Sequence, residues 1–242
     1  MQRQLLPGIT TTPGSDWHSM LEVELPALGL TEVSVFMTGL KSREKRSSFY
    51  DQFLQIGKKQ KITVPFVHAV AEMESSEYLF WMYHFKTEYF VLHSELQYKR
   101  NSESTNFLEG QILIENSIPW IDDEEAERHA GYCFDFAHGA TDRLTRPHVY
   151  AQSVKHALTA ASKGTLCNHI SGFSGANYFI HKPTGLIRYD LHHLRSLRDL
   201  DYLQGFGSEL FGKFLALEVE DSLTRQLEAI EYIKYLLPHI FP

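Results

Sequence analysis

Cysteine is scarce in this chain of 242 residues: there are two, Cys133 and Cys167, in separate apolar runs and without a Cys-x-x-Cys spacing. A disulfide framework is therefore excluded, and both thiols are expected to be reduced packing residues. Long apolar runs are missing too. None reaches the roughly 18 residues of a membrane helix, so no span is expected. The segment Met1 to Pro7 lacks the basic-then-apolar plan of a signal peptide, and the expectation is a soluble cytoplasmic protein. Positive charge is in deficit, with 23 Lys and Arg against 30 Asp and Glu and a net charge of −7. That argues against a surface built wholesale for polyanions, while leaving room for a local basic cleft. There is no linker, low-complexity tract or close repeat, and no strand-like run carries a glycine-rich phosphate turn.

What is present is apolar residues in quantity, 43% of the chain, and 13 histidines. The length fits one domain, 1–242, of the larger kind. Short apolar runs alternate with helix-like stretches. Strands are expected at Gln4–Thr10, Glu32–Met37, Ile62–Val70, Tyr89–Leu96, Gly110–Asn116, from Gly131 to Asp135 with a turn after it, Leu166–Ile170 and Phe214–Val219. Helices are expected from Trp17 to about Leu28, and over Lys41–Gly57, Glu74–Phe85, Asp122–His129, Arg146–Ser162, the neighbourhood of Ser208–Phe211, and Ser222–Leu237. Eight strands alternating with helices imply parallel strands joined by right-handed crossovers. In this length they suit a closed (β/α)8 TIM barrel, the alternative being an open doubly wound sheet.

The polar residues fall where a barrel would put its active site, at the C-terminal ends of the strands. Successive apolar runs close on His68, His93, Glu115, Asp135, His169 and Glu218. In Gly131-Tyr132-Cys133-Phe134-Asp135-Phe136-Ala137-His138-Gly139, strand alternation turns Asp135 away from Phe134 and Phe136. An inward carboxylate needs compensation, by a metal or, more blandly, by capping the next turn of chain. Converging His, Asp and Glu suit zinc, manganese or iron. Between the seventh and eighth strands stands Arg188-Tyr189-Asp190-Leu191-His192-His193, where an extended backbone puts Arg188, Asp190 and His192 on one face.

This ordered set resembles the endonuclease IV-type apurinic/apyrimidinic endonucleases, within the xylose isomerase-like TIM barrel superfamily. The likeness is carried by Arg188-x-Asp190-x-His192-His193, by Phe134-Asp135-Phe136-Ala137-His138, and by Val35-Phe36-Met37-Thr38 followed by the basic run Lys41 to Arg46. It implies up to three divalent ions, with zinc first in expectation. The first would be held by His68, His93 and Glu115. The second would share Glu115 and take Asp135, His169 and Glu218, and the third would take His138, Asp190 and His192. Glu115, Glu218 and Asp135 are the implied catalytic carboxylates. Arg188, Arg143, Arg146 and Lys182 are candidate substrate contacts.

The implied activity is metal-dependent phosphoester hydrolysis. Its substrate is either a small phosphoester or duplex DNA with an abasic site, the latter bound weakly. The alternatives are a single-metal sugar or sugar-phosphate isomerase or epimerase, needing only Glu115, Asp135, His169 and Glu218, and a metal-binding protein without turnover. Three departures weigh against DNA, one being a chain shorter than is usual for the family. Leu194-Arg195-Ser196-Leu197-Arg198 replaces the family's glycine-rich Leu-Gly-x-Gly stretch, and the loop after His68 is acidic, carrying Glu72 and Glu74.

Overall fold

A computed structural model describes residues 3–99, 105–108, 110–116, 123–176, 178–181 and 185–242. Its centre is a nine-stranded parallel sheet. The strands are β1 (Gln4–Leu6), β2 (Gly8–Thr10), β3 (Ser34–Phe36), β4 (Phe66–His68), β5 (Tyr89–Leu92), β6 (Ile112–Glu115), β7 (Gly131–Asp135), β8 (Leu166–Ile170) and β13 (Phe214–Leu217). Their order is β1-β13-β8-β7-β6-β5-β4-β3-β2. β1 and β2 are two halves of one extended segment, interrupted by Pro7, which has no N–H to give a ladder. The first half pairs with β13 and the second with β3, so one segment joins both ends of the sheet and closes a TIM barrel. A Cβ at Gly8 would stand 2.1 Å from the Leu217 carbonyl oxygen, so this closure requires glycine. Gln226, on the last helix (Leu223–Leu236), accepts from Gly8 N and donates to Gly8 O, covering the break.

Side-chain alternation sorts each strand into two faces. Leu6, Phe36, Phe66, Val91, Leu113, Cys133, Cys167, Phe214 and Ala216 pack together as the barrel interior. The other face joins the helices in a larger core that includes Val35, Val67, Phe90, Ile114, Phe134 and Leu217. Both cysteines are buried free thiols of the interior layer. Among the described residues no helix is long and apolar enough to cross a membrane.

The strands are shorter than the sequence pattern. The Ile62–Val70 run pairs as a strand only over Phe66–His68, because Pro65 lacks a donor. The strand from Gly131 does end on Asp135, as expected, and the turn after it opens a helix, Phe136–Thr145. Asp135 accepts the His138 N–H at 2.7 Å, so the Asp-x-x-His spacing is a helix cap as well as a strand end. The helix expected at Lys41–Gly57 runs from Arg43 to Gln60 behind a Ser42 cap. The segment between β8 and β13 forms short antiparallel pairs, β9 (Gly172–Phe173) with β12 (Asp190–Leu191) and β10 (Phe179–His181) with β11 (Leu186–Arg188). Two 3-10 turns follow them, Leu197–Gly205 and Ser208–Leu210.

Candidate metal centre

Each ligand-type residue of the mouth stands two positions beyond a residue of the packed interior. The pairs are Phe66 and His68, Val91 and His93, Leu113 and Glu115, Cys133 and Asp135, Cys167 and His169, and Ala216 and Glu218. Period-two alternation therefore aims all six inward, one layer above the apolar plug. Parallel pairing brings neighbours level, as with Asp135 opposite His169. Barrel closure then brings sequence-distant residues together: His68 Nδ1 is 3.8 Å from Glu218 Oε1.

Glu115 is the hub. Its Oε2 lies 3.0 Å from His93 Nε2 and 3.6 Å from His68 Nε2. Its Oε1 lies 3.3 Å from His169 Nδ1 and 3.6 Å from His138 Nδ1. His169 Nδ1 is also 3.3 Å from Glu218 Oε2. Two overlapping groups can each gather ligand atoms within 4.8 Å of one another: His68, Glu115 and His169, and Glu115, Asp135, His169 and Glu218. Both groups are buried.

The electrostatics of this cluster are those of a site suited to positive charge. Burial pushes the Asp135 and Glu218 carboxyls well above the usual range, and the neighbouring Glu115 charge adds to the effect. Burial opposes ionisation of Glu115 as well, yet His93 and His169 hold it well below its ordinary value. Desolvation drives His68 far down and His138 to about 3, so both rings are neutral, the form that ligates metal. Both nitrogens of His68 and Nε2 of His169 are buried and make no hydrogen bond. Buried polar atoms are nearly always paired, so their convergence in one place fits a bound cation. The buried His/Glu cluster could hold a metal.

The second cluster adjoins the first. Arg188 and Asp190 are both buried, with Nε 2.7 Å from Oδ1. Burial alone would raise Asp190, but Arg188 draws it down to about 2. His192 Nε2 is 3.6 Å from Asp190 Oδ2, and its Nδ1 is 3.3 Å from the Glu218 carbonyl. His138 Nδ1 is 3.0 Å from the Asn116 carbonyl. In both rings a backbone carbonyl fixes Nδ1 and leaves Nε2 available, the support usual for ligating histidines. His193 turns away to Asp221, 2.8 Å distant.

The candidate substrate contacts have other partners. Arg188 is held against Asp190. Arg143 donates to the Gly205 carbonyl and lies over the Phe206 ring, 5.3 Å from its centre. Arg146 pairs with Asp142 at 2.5 Å. Lys182 lies outside the described residues. In the basic run after β3, Arg43 pairs with Glu74 at 2.9 Å, and Arg46 is buried against Glu77 at 2.6 Å. Arg43 is thus paired with the loop after β4, and Arg46 with the helix Ser75–Phe85 that follows it.

Asn116 was not singled out from sequence. Its amide donates to the Asp135 carbonyl at 2.9 Å, its side-chain oxygen accepts from Asp135 N, and its own carbonyl orients His138. Its place directly after the hub Glu115 was the available signal.

No family model matches the chain, and no curated protein matches its sequence. Solved structures do. A xylose isomerase domain protein from Alicyclobacillus acidocaldarius subsp. acidocaldarius aligns over 99% of this chain and 100% of its own, at 11% identity and a TM-score of 0.53. A dihydropteroate synthetase bound to a product aligns over 97% of this chain and 94% of its own, at 9% identity and a TM-score of 0.51. A xylose isomerase domain containing protein from Salmonella typhimurium LT2 aligns over the whole of both chains at 12% identity, with a TM-score of 0.48. At such identities the likeness shows the fold alone: an α/β TIM barrel like that of a xylose isomerase domain protein.

Proposed function

We propose that this chain is a divalent-metal-dependent phosphoester hydrolase with a multinuclear centre in the barrel mouth. One observation carries the reading: Glu115 turns Oε2 to His68 and His93 and Oε1 to His169. A carboxylate whose two oxygens face separate histidines is placed to bridge ions. His68 and His93 would hold the first ion with Glu115. Asp135, His169 and Glu218 would hold the second, and His138, Asp190 and His192 the third. The mixed nitrogen and oxygen donors suit zinc, with manganese or iron as substitutes. Ions held there would activate water near neutral pH and would stabilise charge on the reacting oxygens. Arg188 acts here as the counter-charge that keeps Asp190 ionised and aimed at His192. Asn116 holds Asp135 and His138 in register.

A second reading, a single-metal sugar or sugar-phosphate isomerase or epimerase, is supported by a different observation. Glu115, Asp135, His169 and Glu218 form a compact ligand set by themselves. There Glu115 and Glu218 would be the acid–base pair moving a substrate proton. Metal analysis separates the two. The hydrolase should bind two or three ions per chain at saturation, and His68→Ala with His93→Ala should remove at least one ion and the activity. A single ion, retained by the double variant, sinks the multinuclear reading.

Substrates to assay are small phosphomonoesters, and a duplex carrying one abasic-site analogue, with Glu115→Gln as the control. Duplex binding is expected to be weak and salt-sensitive, because Arg43 and Arg46 are already paired.

A further inference from the structure

We infer that the hollow beside His93 is a second subsite of this centre, shaped for the uncharged, hydroxyl-bearing portion of a small phosphoester. The inference rests on the phosphoester reading, which places the phosphoryl group at the ions. The net reaction adds water across the P–O ester bond and releases the alcohol. The hollow is where that alcohol portion would lie.

The hollow has a volume of about 90 Å³ and is walled by Thr38, Lys41, Val70, Glu72, His93 and Tyr98, among others. That is room for several waters or for the compact polar portion of a small molecule. Thr38 stands two residues beyond the interior Phe36, in the same register as the ligand-type residues, and its buried hydroxyl makes no hydrogen bond. Tyr98 stacks on His93, with ring centres 5.4 Å apart and planes 26° from parallel. The Tyr98 ring thus gives the hollow an apolar flank continuous with the ligand-type His93. Among the described residues of the wall the formal charges are Lys41 and Glu72, of opposite sign. Together they offer hydrogen bonds to hydroxyls and no net attraction for an anion.

The walls are held from behind by Arg46. Its Nη1 donates to the Lys41 carbonyl at 2.9 Å and its Nη2 to the Glu72 carbonyl at 3.0 Å. Its Nε and Nη2 meanwhile grip Glu77 at 2.6 and 3.1 Å. One buried guanidinium thus ties the loop after β3 to the loop after β4. Arg46 is a positioning residue for this wall and is not available to a phosphate backbone, which turns the site toward a small molecule.

The test uses zinc-loaded protein, with metal content measured on every sample, and calorimetric titration with inorganic phosphate, ribose 5-phosphate and a duplex carrying an abasic-site analogue. Wild type should bind ribose 5-phosphate about tenfold more tightly than phosphate. Val70→Trp, which fills the hollow, should erase that increment and leave phosphate affinity within twofold. Thr38→Val should cut the increment about threefold without loss of metal. No increment in wild type, an increment that survives both variants, or a duplex bound a hundredfold more tightly than ribose 5-phosphate would overturn the subsite. Absence of bound ions together with loss of phosphate binding strikes the phosphoester reading itself, and the metal measurement tells that failure from the others.

Discussion

Arg188 Nε lies 2.7 Å from Asp190 Oδ1 with both side chains buried, so one formal charge of the mouth is already balanced by protein. Removing the cation strands the carboxylate. Arg188→Met should destabilise the metal-free protein by about 3–5 kcal/mol, the usual consequence of breaking a buried pair. If Asp190 ligates an ion, saturating zinc should recover much of that loss. Urea unfolding with chelator and with zinc measures both numbers, and an equal loss in the two conditions would remove Asp190 from the ligand set.

Glu218 is the opposite case, a buried carboxyl raised first by desolvation and then by Glu115 and Asp135. A raised acid binds more protons folded than unfolded, so its contribution to stability is lost as pH rises past its ordinary value near 4.3. At pH 7 in chelator, Glu218→Gln should therefore stabilise the protein, by on the order of 1–3 kcal/mol. In zinc it should do the reverse, because a ligand is gone and stabilisation by bound metal falls with affinity. Opposite signs in the two unfolding curves are the expected result. A loss in both would mean that Glu218 is a structural partner only.

The mouth was legible in the sequence because it obeys the shortest-range rule available. His68, His93, Glu115, Asp135, His169 and Glu218 each close an apolar run, and alternation fixes their inward face whatever the helices do. The closure was not legible. Gln4–Thr10 reads as one strand, and only the structure shows its halves pairing to opposite sides around Pro7. The pairing between neighbouring helices was also hidden, since Arg46 and Glu77 lie 31 residues apart and nothing local marks either as buried. A basic run followed by an acidic loop therefore reads as two solvated faces rather than as two partners.

The Arg46–Glu77 pair has its own pH signature. Burial works to raise Glu77, but hydrogen bonds from Arg46, from the Glu74 backbone and from Tyr50 outweigh it and hold the carboxyl below its ordinary value. A depressed acid contributes stability above its unfolded pKa, near 4.3, and that contribution disappears as pH falls through the folded value. Wild type should therefore lose stability more steeply below about pH 4 than Glu77→Gln, whose curve lacks this component. Arg46→Met should cost about 3–5 kcal/mol at pH 7 and less in acid, where Glu77 can take a proton. Denaturant midpoints at pH 7 and pH 3 decide it; parallel losses at both would mean the guanidinium packs without electrostatic effect.

The two cysteines give the last prediction. Cys133 and Cys167 are register partners on β7 and β8, in the interior layer directly beneath Asp135 and His169. Sulfur is a good zinc ligand, so they are the rival donors to the imidazoles and carboxylates above them. Their environment argues otherwise. Burial pushes the Cys133 thiol well up, with the Glu115 charge adding to it, and pushes Cys167 up to about 12. Without metal neither thiol is ionised at neutral pH, and neither belongs to the groups of ligand atoms that converge in the mouth. Cobalt-loaded protein should therefore show ligand-field bands without a strong thiolate-to-cobalt charge-transfer band. Iodoacetamide at pH 8 should label neither residue until the protein unfolds. Cys133→Ala and Cys167→Ala should keep their cobalt and lose stability through the vacated interior volume alone. A charge-transfer band that disappears in Cys167→Ala would move a thiolate into the centre and displace one of the oxygen ligands assigned above.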